Sequence, residues 1–159
     1  MATPENGIVN LTPSSGDLNE IEQLLTECQL PSSDLTASNL NTFLVARRHK
    51  PAEDSSILGV VGLEICLPGQ DGLLRSLAVK DNYRGQGLAM SLCDRMEVLA
   101  RQKHGLRRLY LLTTTATEFF EKNRGYQKIQ RTDAPHSIQS TTEFSSLCPC
   151  SAICMTKQL

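Results

Sequence analysis

Val79-Lys80-Asp81-Asn82-Tyr83-Arg84-Gly85-Gln86-Gly87-Leu88-Ala89 is the stretch that decides how this chain folds. Upstream of it, residues 73–79 (LLRSLAV) are apolar enough to form a strand. Downstream, Leu88, Leu92, Met96 and Leu99 share one face at helical spacing, with Ala89, Cys93 and Ala100 beside them. Gly105 ends that helix, and residues 108–113 (RLYLLT) read as a buried strand. Strand, helix and strand in this order predict a right-handed crossover between parallel strands. The first N–H groups of a helix have no partner inside it, and the helix dipole adds partial positive charge there. Such a helix start suits a pyrophosphate. Gly85 and Gly87 would let phosphate approach the backbone, and Arg84 would add charge-assisted contacts. A glycine-rich turn alone is also what any solvated loop contains, so the flanking strand, helix and strand carry the reading. The stretch is not the dinucleotide fingerprint, because G-x-G-x-x-G is absent, and it lacks the lysine of a P-loop.

Toward the N-terminus, residues 7–11 (GIVNL) suggest a first strand, broken by Pro13-Ser14-Ser15-Gly16. Asp17 is a candidate N-cap for a helix carrying Leu18, Ile21, Leu24 and Leu25, with Glu20 three residues after the cap. Pro31-Ser32-Ser33-Asp34 punctuates again and opens a short second helix toward Leu40. Residues 42–46, 57–67 and 73–79 then predict an antiparallel meander, turning at 49–55 and at Pro68-Gly69-Gln70-Asp71-Gly72. After the crossover, residues 117–124 predict a short helix stopped at Gly125. Another helix is expected after Pro135, running to Leu147, and then a terminal strand over residues 151–156. No repeat or linker marks a second domain, so residues 1–159 read as one domain.

The composition fits a globular protein, with 40% hydrophobic and 21% charged residues. A net charge of −1, from 16 basic and 17 acidic residues, argues against a generally basic nucleic-acid binder. No apolar run reaches the roughly 18 residues of a membrane span, and the first ten residues do not resemble a secretory signal. The six cysteines are therefore expected as reduced thiols in the cytoplasm.

Arg84-Gly85-Gln86-Gly87-Leu88-Ala89 resembles the R/Q-x-x-G-x-G/A acetyl-CoA motif of the GNAT superfamily of N-acetyltransferases. The resemblance extends to Leu74-Arg75-Ser76-Leu77-Ala78-Val79, to Leu111-Leu112-Thr113-Thr114, and to Phe119-Phe120-Glu121-Lys122 with Gly125-Tyr126. Those flanks look like the branch of glutamate N-acetyltransferases and arsenic-resistance acetyltransferases. The tail around Thr142-Glu143-Phe144 and Ser151-Ala152-Ile153-Cys154-Met155 looks most like the arsenic-resistance type. The fold implied is α/β (α+β): a mixed, mostly antiparallel sheet, helices on both faces, and a splayed parallel strand pair holding acetyl-CoA. By the resemblance, Leu77, Ala78 and Val79 would offer main-chain groups to the pantetheine arm, and Arg84, Gly85, Gln86, Gly87, Leu88 and Ala89 would hold the pyrophosphate. Residues 113–117, including Thr115, together with Phe120 would line the far side.

The reaction implied is direct attack of a neutral amine on the thioester, which needs positioning, an oxyanion donor and a proton acceptor. A backbone N–H near Val79 is the expected oxyanion donor, and Glu64 the candidate general base. Glu64 also reads as an ordinary solvent-facing strand residue. Arg75, between apolar neighbours, needs a partner: a substrate anion, or an internal carboxylate such as Glu64. The substrate reading makes Arg75, Ser76 and Thr113 the substrate-binding candidates, although Ser76 also reads as a small core residue. Two departures stand out. Phe120 occupies the place where many GNAT enzymes carry a proton-donating tyrosine, and Leu73 replaces the glutamate often found in the glutamate branch. Tyr126 reads better as a packed aromatic than as a substitute acid. Cys148-x-Cys150-x₃-Cys154 invites a soft-metal or arsenic reading, but it lacks paired C-x₂-C knuckles, so buried thiols and no metal are expected. The expected partner is a small-molecule amine, with a homodimer left open and neither nucleic acid nor membrane. The competing class is a catalytically weak acetyl-CoA-binding regulatory or interaction module.

Overall fold

The structure is a computed structural model and describes residues 8–48 and 56–159. The expected turn at 49–55 and the first residue of the expected first strand lie outside the described residues. The strands are β1 (Ile8–Leu11), β2 (Phe43–Arg48), β3 (Gly59–Cys66), β4 (Asp71–Val79), β5 (Arg108–Thr113), β6 (Gln127–Ile129) and β7 (Ile153–Gln158). The α-helices are α1 (Leu18–Glu27), α2 (Leu88–Gln102) and the single turn α3 (His136–Gln139). Strand order in the sheet is β1-β2-β3-β4-β5-β7-β6. The expected parallel pair is present: β4 pairs with β5 through Asp71↔Arg108, Gly72↔Leu109 and Leu73↔Tyr110. The pairs β1–β2, β2–β3, β5–β7 and β6–β7 are antiparallel.

Two compact units divide the chain, Met1–Gly62 with Ser76–Met96, and Leu63–Arg75 with Glu97–Leu159. In the first, α1 buries Ile21, Leu24 and Leu25 against Phe43, Val45, Val60 and Ala78. Gly62 is required here, because a Cβ at that position would run into the Phe43 ring. Asp17 is the N-cap position of α1, as expected, but its side chain serves the preceding 3-10 turn, Ser15–Asp17, rather than α1. The capping box is Ser14 with Asp17, and Glu20 instead accepts the Ile57 N–H. Asp17 can serve this earlier turn because Arg47 also pairs with its carboxylate. The expected helix toward Leu40 is only a 3-10 turn, Asn39–Thr42.

In the second unit, Cys66, Leu73, Tyr110, Ala134, Ile138, Phe144 and Cys154 form the core. The long helix expected after Pro135 breaks into α3 and a π-helical turn, Glu143–Leu147. Hydroxyl groups explain the break. Thr141 Oγ1 donates to the Ile138 carbonyl and accepts the Phe144 N–H, so side chains compete with the helical ladder. The segment after β5 is likewise a π-helical turn, Phe119–Asn123. The strand β6 was not expected.

Candidate functional site

Sequence places a left-handed residue inside β4: Ser76 has φ +59°. A non-glycine residue there carries strain and breaks the pleat, so the alternation of the strand is lost. Residues 72–76 are all buried, then Leu77 is half-buried while Ala78 and Val79 are buried again. Gly59 accommodates this end of β4, since a Cβ on it would sit 3.2 Å from the Ala78 carbonyl oxygen.

The loop after β4 is tied back to the strand by its arginine. Arg84 Nε donates to the Val79 carbonyl at 3.1 Å, Nη1 lies 3.3 Å from Asp81, and Nη2 meets Cys28 Sγ at 3.5 Å. The side chain is 56% exposed, so the guanidinium fastens the loop and still faces solvent. Gly85 and Gly87 adopt φ +76° and +83°, the left-handed region where a side chain is strained. A Cβ on either would meet nothing within 4 Å, so the space above the loop is open. Residues 84–87 are exposed, whereas Leu88 is buried and anchors the start of α2. The first bond of the α2 ladder runs from the Ser91 N–H to the Gly87 carbonyl at 3.0 Å. The N–H groups of Leu88 and Ala89 precede it, as the opening donors of the helix. Asn10 Nδ2 donates to Ser91 Oγ at 2.8 Å and links β1 to this first turn. Backbone donors, open space above the two glycines and one guanidinium fit a pyrophosphate. The helix stripe that holds them is Leu88, Leu92, Cys93, Met96 and Ala100; Leu99 is only half-buried.

The remaining candidates lie in the second unit, apart from Ser76. Arg75 is buried between two carboxylates: Glu64 Oε2 lies 3.6 Å from its Nη1 and Glu143 Oε2 lies 3.6 Å from its Nε. The internal-carboxylate alternative for Arg75 is therefore present in the structure, with Glu143 as a second partner that sequence reading missed. Its signal was a lone acid beside Phe144 in an otherwise hydroxyl-rich segment. Glu64 keeps 39% of its side chain exposed. Thr113 Oγ1 accepts the Ala116 N–H at 2.9 Å and closes the turn after β5, while Thr115 is exposed. Phe120 is buried, with its ring 5.1 Å from Phe119 and 5.3 Å from Tyr126, both edge-on. Tyr126 is itself 2% exposed, a packed aromatic.

All six cysteines are free. Among the described residues, no three or more His, Cys, Asp or Glu groups come together to hold a metal ion. Burial, and then the charges of Glu64 and Asp71, push the Cys66 thiol to about 12. Burial and Glu143 raise Cys148 to about 12, and burial raises Cys154 to about 11. These raised values stabilise the folded state fully below the usual 9.0, and that stability is lost as pH rises toward 12. Urea midpoints should therefore fall between pH 9 and 11, and replacing Cys66 by serine should make that fall shallower. A midpoint flat over that window would contradict the burial of these thiols.

The model of the acetyltransferase (GNAT) family matches residues 17–126. No curated protein sequence matches the chain. Among solved structures, N-acetylglutamate synthase from Neisseria gonorrhoeae, complexed with coenzyme A and N-acetyl-glutamate, superimposes with TM-score 0.79 at 20% identity. That match covers 98% of this chain but 36% of the synthase, so the chain spans about a third of its length. A Mycobacterium tuberculosis protein in complex with CoA gives TM-score 0.76 at 22% identity, covering 95% of this chain and 99% of that one. An acetyltransferase of the GNAT family from Staphylococcus aureus gives 0.72 at 17% identity, covering 96% and 99%. At these identities the likeness is one of fold.

Proposed function

This chain belongs to the acetyltransferase (GNAT) family, and from that premise we propose that it moves the acetyl group of acetyl-CoA to the amine of a small, amino-acid-like molecule. The observation that carries the proposal is the loop from Arg84 to Ala89, whose two left-handed glycines leave open space above the first donors of α2. Two of the structural neighbours are solved with CoA, which supports the same ligand here. Bound acetyl-CoA supplies a thioester carbon that a neutral amine attacks directly. The N–H groups of Leu88 and Ala89, with Arg84, hold the pyrophosphate. Main-chain groups of Leu77, Ala78 and Val79 hold the pantetheine arm, and an N–H near Val79 steadies the oxyanion. Glu64 accepts the amine proton, directly or through water. Thr113 and Thr115 shape the loop after β5. Phe120 has no proton to give, so the departing thiolate is protonated by water or another group.

Phe120 is also the observation that favours the second reading, an acetyl-CoA-binding module with little turnover. A location in the cytoplasm is part of the first reading, in keeping with six free thiols. The likeness of the tail to arsenic-resistance acetyltransferases extends the amine panel to arsenic- and phosphorus-containing amino-acid analogues. Thiol release from acetyl-CoA over that panel is the test. Amine-dependent release with an acetylated product supports the enzyme. Tight acetyl-CoA binding with no release on any amine would establish the module.

A further inference from the structure

The peptide that joins Val79 to Lys80 is held by the protein at both of its polar groups. The Lys80 N–H donates to the Leu58 carbonyl at 2.8 Å. The Val79 carbonyl accepts from Arg84 Nε at 3.1 Å and from the Cys28 thiol, whose Sγ lies 3.9 Å away. Arg84 Nη2 donates in turn to Cys28 Sγ at 3.5 Å, so carbonyl, guanidinium and thiol close a triangle. A thiol can serve both contacts, because its proton donates while its sulfur accepts. Helix α1 puts the thiol there. Cys28 is its C-cap, with the Cys28 N–H on the Leu24 carbonyl, and it packs against the cluster that contains Leu24, Leu25 and Ala78. Along a strand, the N–H and C=O of one residue face the same side, and successive residues alternate. Lys80 turns its N–H to Leu58, just before β3, so Val79 turns its own N–H and C=O away from β3.

We infer that Arg84 and Cys28 are positioning residues for the pantetheine arm: by holding the Val79 carbonyl they make Val79 a donor to the arm, through its N–H alone. The inference rests on the acetyl-CoA reading and deepens it. With its carbonyl held, Val79 receives an oxygen of the arm rather than an amide N–H of it. The guanidinium also offsets the partial negative charge of that carbonyl, which belongs to the same residue whose N–H faces the developing oxyanion. Lys80 is excluded as the oxyanion donor, because its N–H is given to Leu58. Arg84 then has two tasks with separate signatures. As a charge beside the loop it acts on the pyrophosphate, which CoA has and pantetheine lacks. As part of the clasp on Val79 it acts on the arm, which both ligands share.

CoA and pantetheine are the probes, each titrated by amide NMR into the wild-type protein and into Arg84→Ala and Cys28→Ala. Neither ligand carries an acetyl group, so no turnover occurs. Pantetheine should move the Val79 amide of the wild type. Arg84→Ala should weaken pantetheine by about fivefold, and CoA by a larger factor because the phosphate loses its charge partner as well. Cys28→Ala, which touches no phosphate contact, should weaken both ligands alike, by about threefold. A side chain that only braced the fold would lower the melting temperature and leave the pantetheine affinity in place. Unchanged pantetheine affinity in either folded variant would overturn the inference, as would a wild-type protein that binds CoA but not pantetheine. A wild-type protein that binds no CoA would remove the acetyl-CoA reading itself, and the role of the clasp with it.

Discussion

Replacing Gly87 by valine is expected to weaken acetyl-CoA binding by about one to two powers of ten, the scale of losing a charge-assisted phosphate contact. The side chain would enter the open space above the loop, where the protein itself offers no atom within 4 Å. Two effects would follow from one substitution. The residue sits at φ +83°, so a side chain there also strains the backbone by about 1–2 kcal/mol. Gly105 separates strain from blockage, because it has φ +65°, equally open surroundings, and a position beyond the far end of α2. Gly105→Val should lower the melting temperature comparably and leave the affinity for acetyl-CoA unchanged. Arg84→Ala should weaken binding less than Gly87→Val, because the backbone donors remain. Calorimetry with both glycine variants decides the matter. Equal affinities for Gly87→Val and the wild type would remove the loop as a phosphate site.

The largest stability effect is expected at Glu97, on the C-terminal half of α2. One carboxylate there serves two cations: Oε2 pairs with Arg124, and Oε1 accepts from Lys157 Nζ at 2.5 Å. The side chains of Arg124 and Glu97 are 6% and 12% exposed, so this pair is little screened by solvent. Lys157 Nζ also lies 5.7 Å from the centroid of the Tyr126 ring, which connects the network to the aromatic pair of Tyr126 and Phe120. Breaking a buried pair by removing one partner costs about 3–5 kcal/mol, since the remaining charge loses its compensation. Glu97→Ala should therefore lower the melting temperature by roughly 6–20 °C. Glu97→Gln, which keeps an acceptor, should lose less. Urea unfolding checks both, and a loss below about 1 kcal/mol for Glu97→Ala would mark the network as ordinary surface pairing.

What was legible in the sequence was local. The loop from Arg84 to Ala89, the strand before it and the helix after it are contiguous, so periodicity and glycine placement revealed them together. The β5 boundaries agree with the expected 108–113 for the same reason. The α2 stripe was partly legible: Leu88, Leu92 and Met96 are buried, but the stripe continues to Ala100 where the sequence favoured Leu99. Illegible features depended on contacts distant along the chain or on side-chain competition. Glu143 meets Arg75 from a remote segment; its neighbours mark it as a lone acid beside Phe144 but do not say which cation it meets. Arg84 was legible as a charge beside the loop, but its second task was not: its Nε and Nη2 groups also fasten the loop to Val79 and Cys28. The strand β6 has three residues, two of them exposed, too short for any alternation to show. The helix expected after Pro135 is not continuous, because the Thr141 hydroxyl interrupts it through bonds to the main chain.

The most direct measurement of the central claim is an amide NMR titration of the protein with CoA, set beside one with pantetheine, which lacks the pyrophosphate. The account predicts that CoA shifts the amides of Arg84, Gly85, Gln86, Gly87, Leu88 and Ala89, and that pantetheine leaves them in place while moving those of Leu77, Ala78 and Val79. Saturable CoA binding that leaves the amides of the loop from Arg84 to Ala89 unmoved would contradict it.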